Sequence, residues 1–374
     1  MAGIYIHIPF CKQRCYYCDF HFTTSLKNKD TIINAIIFEL ESRKHEIIEE
    51  IKTIYFGGGT PSIIETSDLE KILNAIYKNY SVVSNPEVTI EANPDDISIV
   101  KLKELKQTTI NRFSVGIQSF HAKDLKFMNR AHDKLQADNC VPMIQDAGFE
   151  NITIDLIYGV PNQSEQEWIY NLSKAFELNV PHISAYALTV EEKTPLNKLI
   201  QSGKFPNVSD EKAFADFELL IDRTKNNGFI QYEISNFGKE GYFSKHNSSY
   251  WKGDQYLGVG PSAHSFNGAE RRWNLASNKI YLENIHTDKY FEKEVLSEQD
   301  VFNEYLMTGL RTIWGVSLKK ISSEFNPSFI KYFLSKIDLL QTEGKVSVHG
   351  DIVTISEKNK FQTDGITSDL FIVD

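Results

Sequence analysis

GIYIHIPFCKQRCYYCDF, residues Gly3 to Phe20, runs a short β-type stretch, Ile4 to Ile8, past Pro9 into three closely spaced cysteines. Cys11, Cys15 and Cys18 have the spacing C-x3-C-x2-C, and Cys140 is the only other cysteine in the chain. Three thiolates on so tight a loop lie within reach of one metal centre, and soft thiolates select zinc, copper(I) or iron–sulfur. The number three is informative. A structural zinc site closes with four protein ligands, and no nearby His or Cys at ligand spacing supplies a fourth. A [4Fe–4S] cluster on three cysteines leaves one iron open to a non-protein ligand. Cysteine is so scarce elsewhere that incidental placement is a poor account of the triplet.

From this loop the chain alternates strand and helix. Apolar residues Ile32, Ile33, Ile36, Ile37, Leu40 and Ile47 predict a helix over 30–50, and a strand over 53–56 runs into Gly57-Gly58-Gly59-Thr60-Pro61-Ser62. A helix capped by Ser67 follows, with Leu69, Ile72, Leu73 and Ile76 on its apolar face. The alternation continues with strands at 87–91, 112–118, 152–158 and 182–188 and helices near 97–105, 131–147 and 165–178. Six such units predict an α/β fold, a parallel sheet curled as a partial TIM-type (β/α)6 barrel with its ligands at the C-terminal strand ends. Three glycines after a strand let backbone approach a ligand closely. The Lys-Ser/Thr ending of a phosphate-binding loop is missing.

The stretch YIHIPFC followed by CYYCDF resembles the radical S-adenosylmethionine (SAM) superfamily. In that superfamily the open iron of a [4Fe–4S] cluster chelates SAM, and the reduced cluster cleaves it to a 5′-deoxyadenosyl radical. The resemblance implies that Cys11, Cys15 and Cys18 hold the cluster. It implies SAM contacts from Tyr5, from Gly57, Gly58, Gly59 and Thr60, and from Glu91, Gln118, Arg130 and Asp155. The residue types suit these roles: a carboxylate such as Glu91 accepts ribose hydroxyls, and the Arg130 fork grips a carboxylate. Asp155 stands in an apolar strand, where an unpaired charge is costly.

The wider match looks like the branch containing oxygen-independent coproporphyrinogen III oxidases and HemW-type haem chaperones. The oxidase pattern has a further cysteine two places after the third; here that residue is Phe20. His246-Asn247-Ser248-Ser249-Tyr250-Trp251 matches the HNxxYW motif associated with haem in HemW-type proteins. The resemblance therefore implies haem contacts from His246, Tyr250 and Trp251, since imidazole ligates haem iron and aromatic rings pack on a porphyrin face. His264, in the glycine-containing run 258–265, is a weaker candidate ligand. His7 and His132 read as structural histidines bonded to backbone, and Cys140 as a small buried hydrophobe.

Net charge −10 argues against binding nucleic-acid backbones. The content of 41% hydrophobic and 12% aromatic residues supports a sizeable core and excludes disorder. No apolar run approaches the roughly 20 residues that span a bilayer, no signal peptide is expected before the first strand, and peripheral membrane contact stays open. Thiols kept reduced for a cluster fit the cytoplasm.

A helix over 210–226 follows the barrel pattern. Helices over 297–313, 318–325 and 327–342, then short strands at 345–349 and 352–355, predict a winged-helix-like C-terminal domain serving as a lid or docking module. The division expected is 1–225 for the barrel, 226–290 for a segment completing its side, and 291–374 for the C-terminal domain. The reading that results is a haem chaperone that binds a [4Fe–4S] cluster, SAM and haem, and delivers haem to acceptor proteins. The alternative is an oxygen-independent coproporphyrinogen III oxidase, and whether SAM is cleaved is left open.

Overall fold

The computed structural model describes residues 2–373. Strand and helix alternate from the start: β1 (Ala2–Ile8), α1 (Lys29–Ser42), β2 (Ile51–Gly58), α2 (Thr66–Asn79), β3 (Val82–Ala92), α3 (Ile99–Leu105), β4 (Arg112–Gln118), α4 (Ala122–Phe127), α5 (Lys134–Asp146), β5 (Asn151–Tyr158), α6 (Glu165–Glu177) and β6 (His182–Ala187). These six strands pair in parallel in sequence order. Side chains on a strand alternate between its two faces, and here the alternation separates chemistry. Ile4, Ile6, Ile54, Val88, Ile90, Phe113, Val115, Ile152 and Ile154 face outward into a core shared with the helices. The other face carries Tyr5, His7, Thr53, Tyr55, Glu87, Thr89, Glu91, Arg112, Ser114, Thr153, Asp155, His182 and Ser184. It is polar from bottom to top, the inside of a partial barrel.

The sheet does not close. After α7 (Pro195–Gln201) and α8 (Asp210–Asn226), the short strands β7 (Ile230–Gln231) and β8 (Asn236–Gly238) add antiparallel to β6. The chain then passes through α9 (Lys245–Trp251) to the opposite flank, where β9 (Gln255–Val259) pairs in parallel with β1. Three antiparallel strands continue that flank, β10 (His264–Phe266), β11 (Glu270–Asn274) and β12 (Phe291–Val295), with α10 (Asn278–Asn284) before the last. One 12-stranded sheet results.

The C-terminal unit comprises α11 (Glu298–Leu310), β13 (Val316–Ser317), α12 (Leu318–Glu324), α13 (Pro327–Thr342), β14 (Val346–His349), β15 (Ile352–Ile355) and α14 (Thr363–Ser368). It has its own apolar core around Phe302, Leu306, Ile321, Phe333 and Val353. The expected two-stranded wing is three-stranded, because Val316–Ser317 pairs with β15.

Several boundaries differ from the periodic reading, for local reasons. α1 ends at Ser42 rather than near 50, because Arg43 turns inward to Glu39 and the Gly258 carbonyl. α2 starts at Thr66 with no side-chain cap, and the Thr66 hydroxyl instead binds Glu104. The helix expected near 131–147 begins only at Lys134, where Asp133 and Gln136 form a capping box.

Candidate functional site

The cysteine loop is pinned at both ends by backbone. Thr23 N donates to Pro9 O at 2.9 Å and Cys11 N to Thr23 O at 3.0 Å; Tyr16 N reaches Met128 O at 3.0 Å. Its floor is the glycine run. Gly59 N donates to Ile8 O at 2.9 Å and Thr60 N to Phe10 O at 2.7 Å. A Cβ on Gly59 would stand 2.6 Å from the Phe10 carbonyl oxygen, and Gly58 holds φ +104. Here the glycines serve to seat the cysteine loop on β2.

All three loop cysteines are free and half-buried. The Thr60 hydroxyl donates to Cys11 Sγ at 3.4 Å, and Arg130 Nη1 to Cys15 Sγ at 3.2 Å. Burial pushes the Cys11 thiol up to about 11 and the Cys18 thiol up to about 12. Among the described residues no three His, Cys, Asp or Glu side chains gather as the ligands of one ion. Three thiols with no fourth protein ligand beside them suit a [4Fe–4S] cluster better than a closed structural zinc site.

Beside the loop lie the polar strand ends. Arg130 Nη2 donates to Asn93 Oδ1 at 2.6 Å and to Gly116 O at 2.8 Å, Nη1 also reaches Tyr17 OH at 3.3 Å, and the buried Nε has no partner. Gln118 ends β4 with φ 65, a left-handed backbone that costs a non-glycine residue energy and marks functional turns. Glu91 accepts from Tyr55 OH at 2.9 Å and from Gly58 N at 3.2 Å. Burial raises its carboxyl to about 7. Asp155 accepts from the Ser114 hydroxyl at 3.2 Å and is raised by burial to about 6. Tyr5 stacks on Tyr55 with ring centroids 6.1 Å apart and holds its hydroxyl 3.4 Å from His7 Nδ1. The structure thus brings Tyr5, Gly57–Thr60, Glu91, Gln118, Arg130 and Asp155 to one barrel mouth next to the cysteines.

The HNSSYW residues divide. His246 is 1% exposed and lies at the level of Gly3, Thr53 and Glu87, below the layer of Tyr5, Tyr55 and Thr89. Both its ring nitrogens are engaged, Nδ1 with Thr53 Oγ1 at 2.7 Å and Nε2 with Tyr250 OH at 2.7 Å. Burial holds it neutral, with its value down at about 3. Tyr250 and Trp251 instead reach the wall of a cavity of about 1490 Å³ between the barrel mouth and the C-terminal helices. Phe20, 68% exposed, lies on the same wall. Cys140 is buried in α5, and His7 and His132 bind the carbonyls of His21 and Ile117, as read from sequence.

Residues 5–175 match the model of the Radical SAM superfamily, and residues 296–359 match that of the HemN C-terminal domain. The heme chaperone HemW of Lactococcus lactis is 37% identical over 334 residues, which span 89% of this chain and 87% of that protein. HemW of Bacillus subtilis is 34% identical over 96% of both chains. The chain belongs to the HemW family. A solved structure of coproporphyrinogen III oxidase (HemN) from Escherichia coli shares the fold, with TM-score 0.85 at 21% identity over 99% of this chain and 90% of that one.

In this HemW-family chain several site residues escaped the sequence reading. Asn93 joins Arg130 to Thr60, whose hydroxyl it meets at 3.4 Å. Its signal was available, since it stands two places beyond Glu91 at a strand end. Glu87 accepts the backbone N–H groups of Lys245 and His246 and so anchors α9. Buried Arg112 opposes the upward shifts of Glu91 and Asp155. Neither shows a local sequence signal, because each acts through residues distant in the chain.

Proposed function

We propose that this chain is a haem chaperone that carries a [4Fe–4S] cluster on Cys11, Cys15 and Cys18, binds SAM at the barrel mouth, and holds haem for delivery to acceptor proteins. The observation that carries the haem part is the 1490 Å³ cavity beside the cysteine loop, walled by Phe20, Tyr250 and Trp251 and facing Tyr305 and Phe325 of the C-terminal unit. It exceeds the roughly 300–1,000 Å³ of ordinary small-molecule pockets, and its aromatic walls suit a flat macrocycle. Arg14, Lys252 and Lys320 line it as well, cations suited to the two propionates. A bound cluster would supply an electron to SAM. Glu91 and Asp155 would accept SAM hydroxyls or its amino group, and Arg130 would fix its carboxylate.

His246 supports this reading from behind the wall: its hydrogen bond holds Tyr250 in place. In this proposal the barrel ends near residue 225, residues 226–290 complete its flanks, and the unit after 291 covers the cavity. Reduced thiols suit a cytoplasmic setting. No described helix is long and apolar enough to cross a membrane.

The test is a hemin titration of the anaerobically reconstituted protein, with transfer to a haem-free acceptor protein, beside an assay of coproporphyrinogen with SAM and reductant. The expected result is saturable binding of about one equivalent, followed by transfer, without decarboxylation. Multiple-turnover decarboxylation would favour the oxidase alternative, and a lack of saturable hemin binding would end the chaperone reading.

A further inference from the structure

Three histidines line the cavity: His7, His21 and His264. His7 is buried and its Nε2 is held by the His21 carbonyl at 2.9 Å. His21 is half-buried and donates Nε2–H to Asn278 Oδ1 at 2.7 Å, so that ring is held by its neighbour and offers only Nδ1. His264 differs. Its side chain is exposed to the cavity, and neither ring nitrogen has a hydrogen-bond partner among the described residues. An imidazole with a free lone pair is what iron requires, and His246, bonded at both nitrogens beneath Tyr5, does not offer one.

His264 is also mounted rigidly. It begins β10, and its cross-strand partner Trp273 stacks on it with ring centroids 6.2 Å apart and planes 24° apart. Trp273 is itself anchored through Nε1 to Glu292 at 3.1 Å. The backbone beneath is fixed by a buried network. The Ser265 hydroxyl accepts from Gly258 N at 2.9 Å and from Arg43 Nη2 at 3.0 Å, while Glu39 accepts from Gly260 N at 2.8 Å. Gly258 is held so close that a Cβ there would fall 1.9 Å from the His264 carbonyl oxygen. The glycine-containing turn thus presses the backbone of His264 against β9 and leaves its ring outside. A ligand held this firmly loses little freedom on binding. Phe266, two residues along the same strand face, and Tyr256 continue the wall towards Tyr250. Partial burial and the nearby Arg271 charge lower the His264 titration point, which favours the neutral, ligating form.

We propose that His264, rather than His246, supplies the imidazole that ligates the iron of a haem seated in this cavity. The assignment rests on the haem reading above, and it gives His246 the separate role of positioning Tyr250. Ligation forms one iron–nitrogen bond in exchange for a water or open position, with no change in oxidation state.

The experiment is a hemin titration of the full-length protein, wild type beside His264→Ala and His246→Ala, read by the Soret band and by electron paramagnetic resonance. The expected result is a histidine-ligated spectrum in wild type and in His246→Ala, whatever the latter's affinity. His264→Ala should lose that spectrum and at least on the order of tenfold in affinity, and free imidazole should restore the spectrum. An unchanged spectrum and affinity in His264→Ala, with the histidine signature lost only in His246→Ala, would overturn the assignment while leaving the chaperone reading intact. Absence of saturable binding in the wild type would remove both. Circular dichroism on each variant separates loss of a ligand from loss of fold.

Discussion

Glu91 shows how one residue ties the site's function to the protein's stability. Its carboxyl is raised to about 7, chiefly because burial disfavours its charged form, with the Tyr55 and Gly58 hydrogen bonds pulling the other way. A carboxyl that holds its proton more tightly when folded favours the folded state at low pH. That contribution is complete below the unfolded value of about 4.5 and is lost as pH rises through 7. The protein without ligands should therefore lose stability between these two values, with Asp155, raised to about 6, contributing in the same direction. Glu91→Gln should flatten this part of the stability–pH profile and stabilise the unliganded protein near pH 8 by on the order of 1–3 kcal/mol. Urea unfolding at pH 5, 6, 7 and 8 checks this, and an identical slope in the variant would show that Glu91 is not the group responsible. In the SAM role proposed for Glu91, the same variant should also bind SAM more weakly.

At the scale of elements, β2 and the cysteine loop behave as one unit. Gly59 packs against the backbone of Ile8 and Phe10 so closely that no side chain fits, and a Cβ on Gly57 or Gly58 would meet the rings of Tyr5, Tyr55 or His7. Gly59→Ala should cost about 1–3 kcal/mol through overpacking and should lower the iron and sulfide retained after anaerobic reconstitution. Normal cluster content in a folded Gly59→Ala protein would mean that the loop does not depend on this seat. The six parallel strands, and most of the helices beside them to within a few residues, were legible because strand and helix impose different spacings on apolar residues. The cysteine triplet and the strand-end residues were legible because a barrel presents its ligands at those ends. The position of His246 was not. Its motif carries chemistry-bearing residues, but only the pairing of Gly3 with Thr53, and of Thr53 with Glu87, determines that its ring sits two layers below the mouth. The helix at 195–201, the flanking strands β7 to β12 and the third strand of the C-terminal sheet were missed because short elements leave too few residues to show a period.

For the whole molecule, the cavity lies between the barrel and the C-terminal unit, each of which has its own apolar core. A ligand seated there would touch both units. By mass action, hemin at 100 times its dissociation constant adds about 2.7 kcal/mol to whatever it binds. Differential scanning calorimetry should therefore show the transition of the C-terminal unit moving upward together with that of the barrel when hemin is present. A barrel transition that moves while the C-terminal one stays fixed would mean that haem contacts only one side of the cavity.

The order of strands in the sheet also bears on synthesis. β1 is synthesised before either of its neighbours, β2 on one side and β9 on the other, and the second partner arrives only with residues 255–259. Until then a row of backbone donors and acceptors along β1 stands unpaired, directly upstream of the cysteine loop. Pairings so distant in sequence form slowly, and open strand edges invite contact with other chains. The nascent protein is therefore most vulnerable to misassembly just before α9 and β9 emerge, and the helix bearing HNSSYW arrives together with the strand that covers this edge.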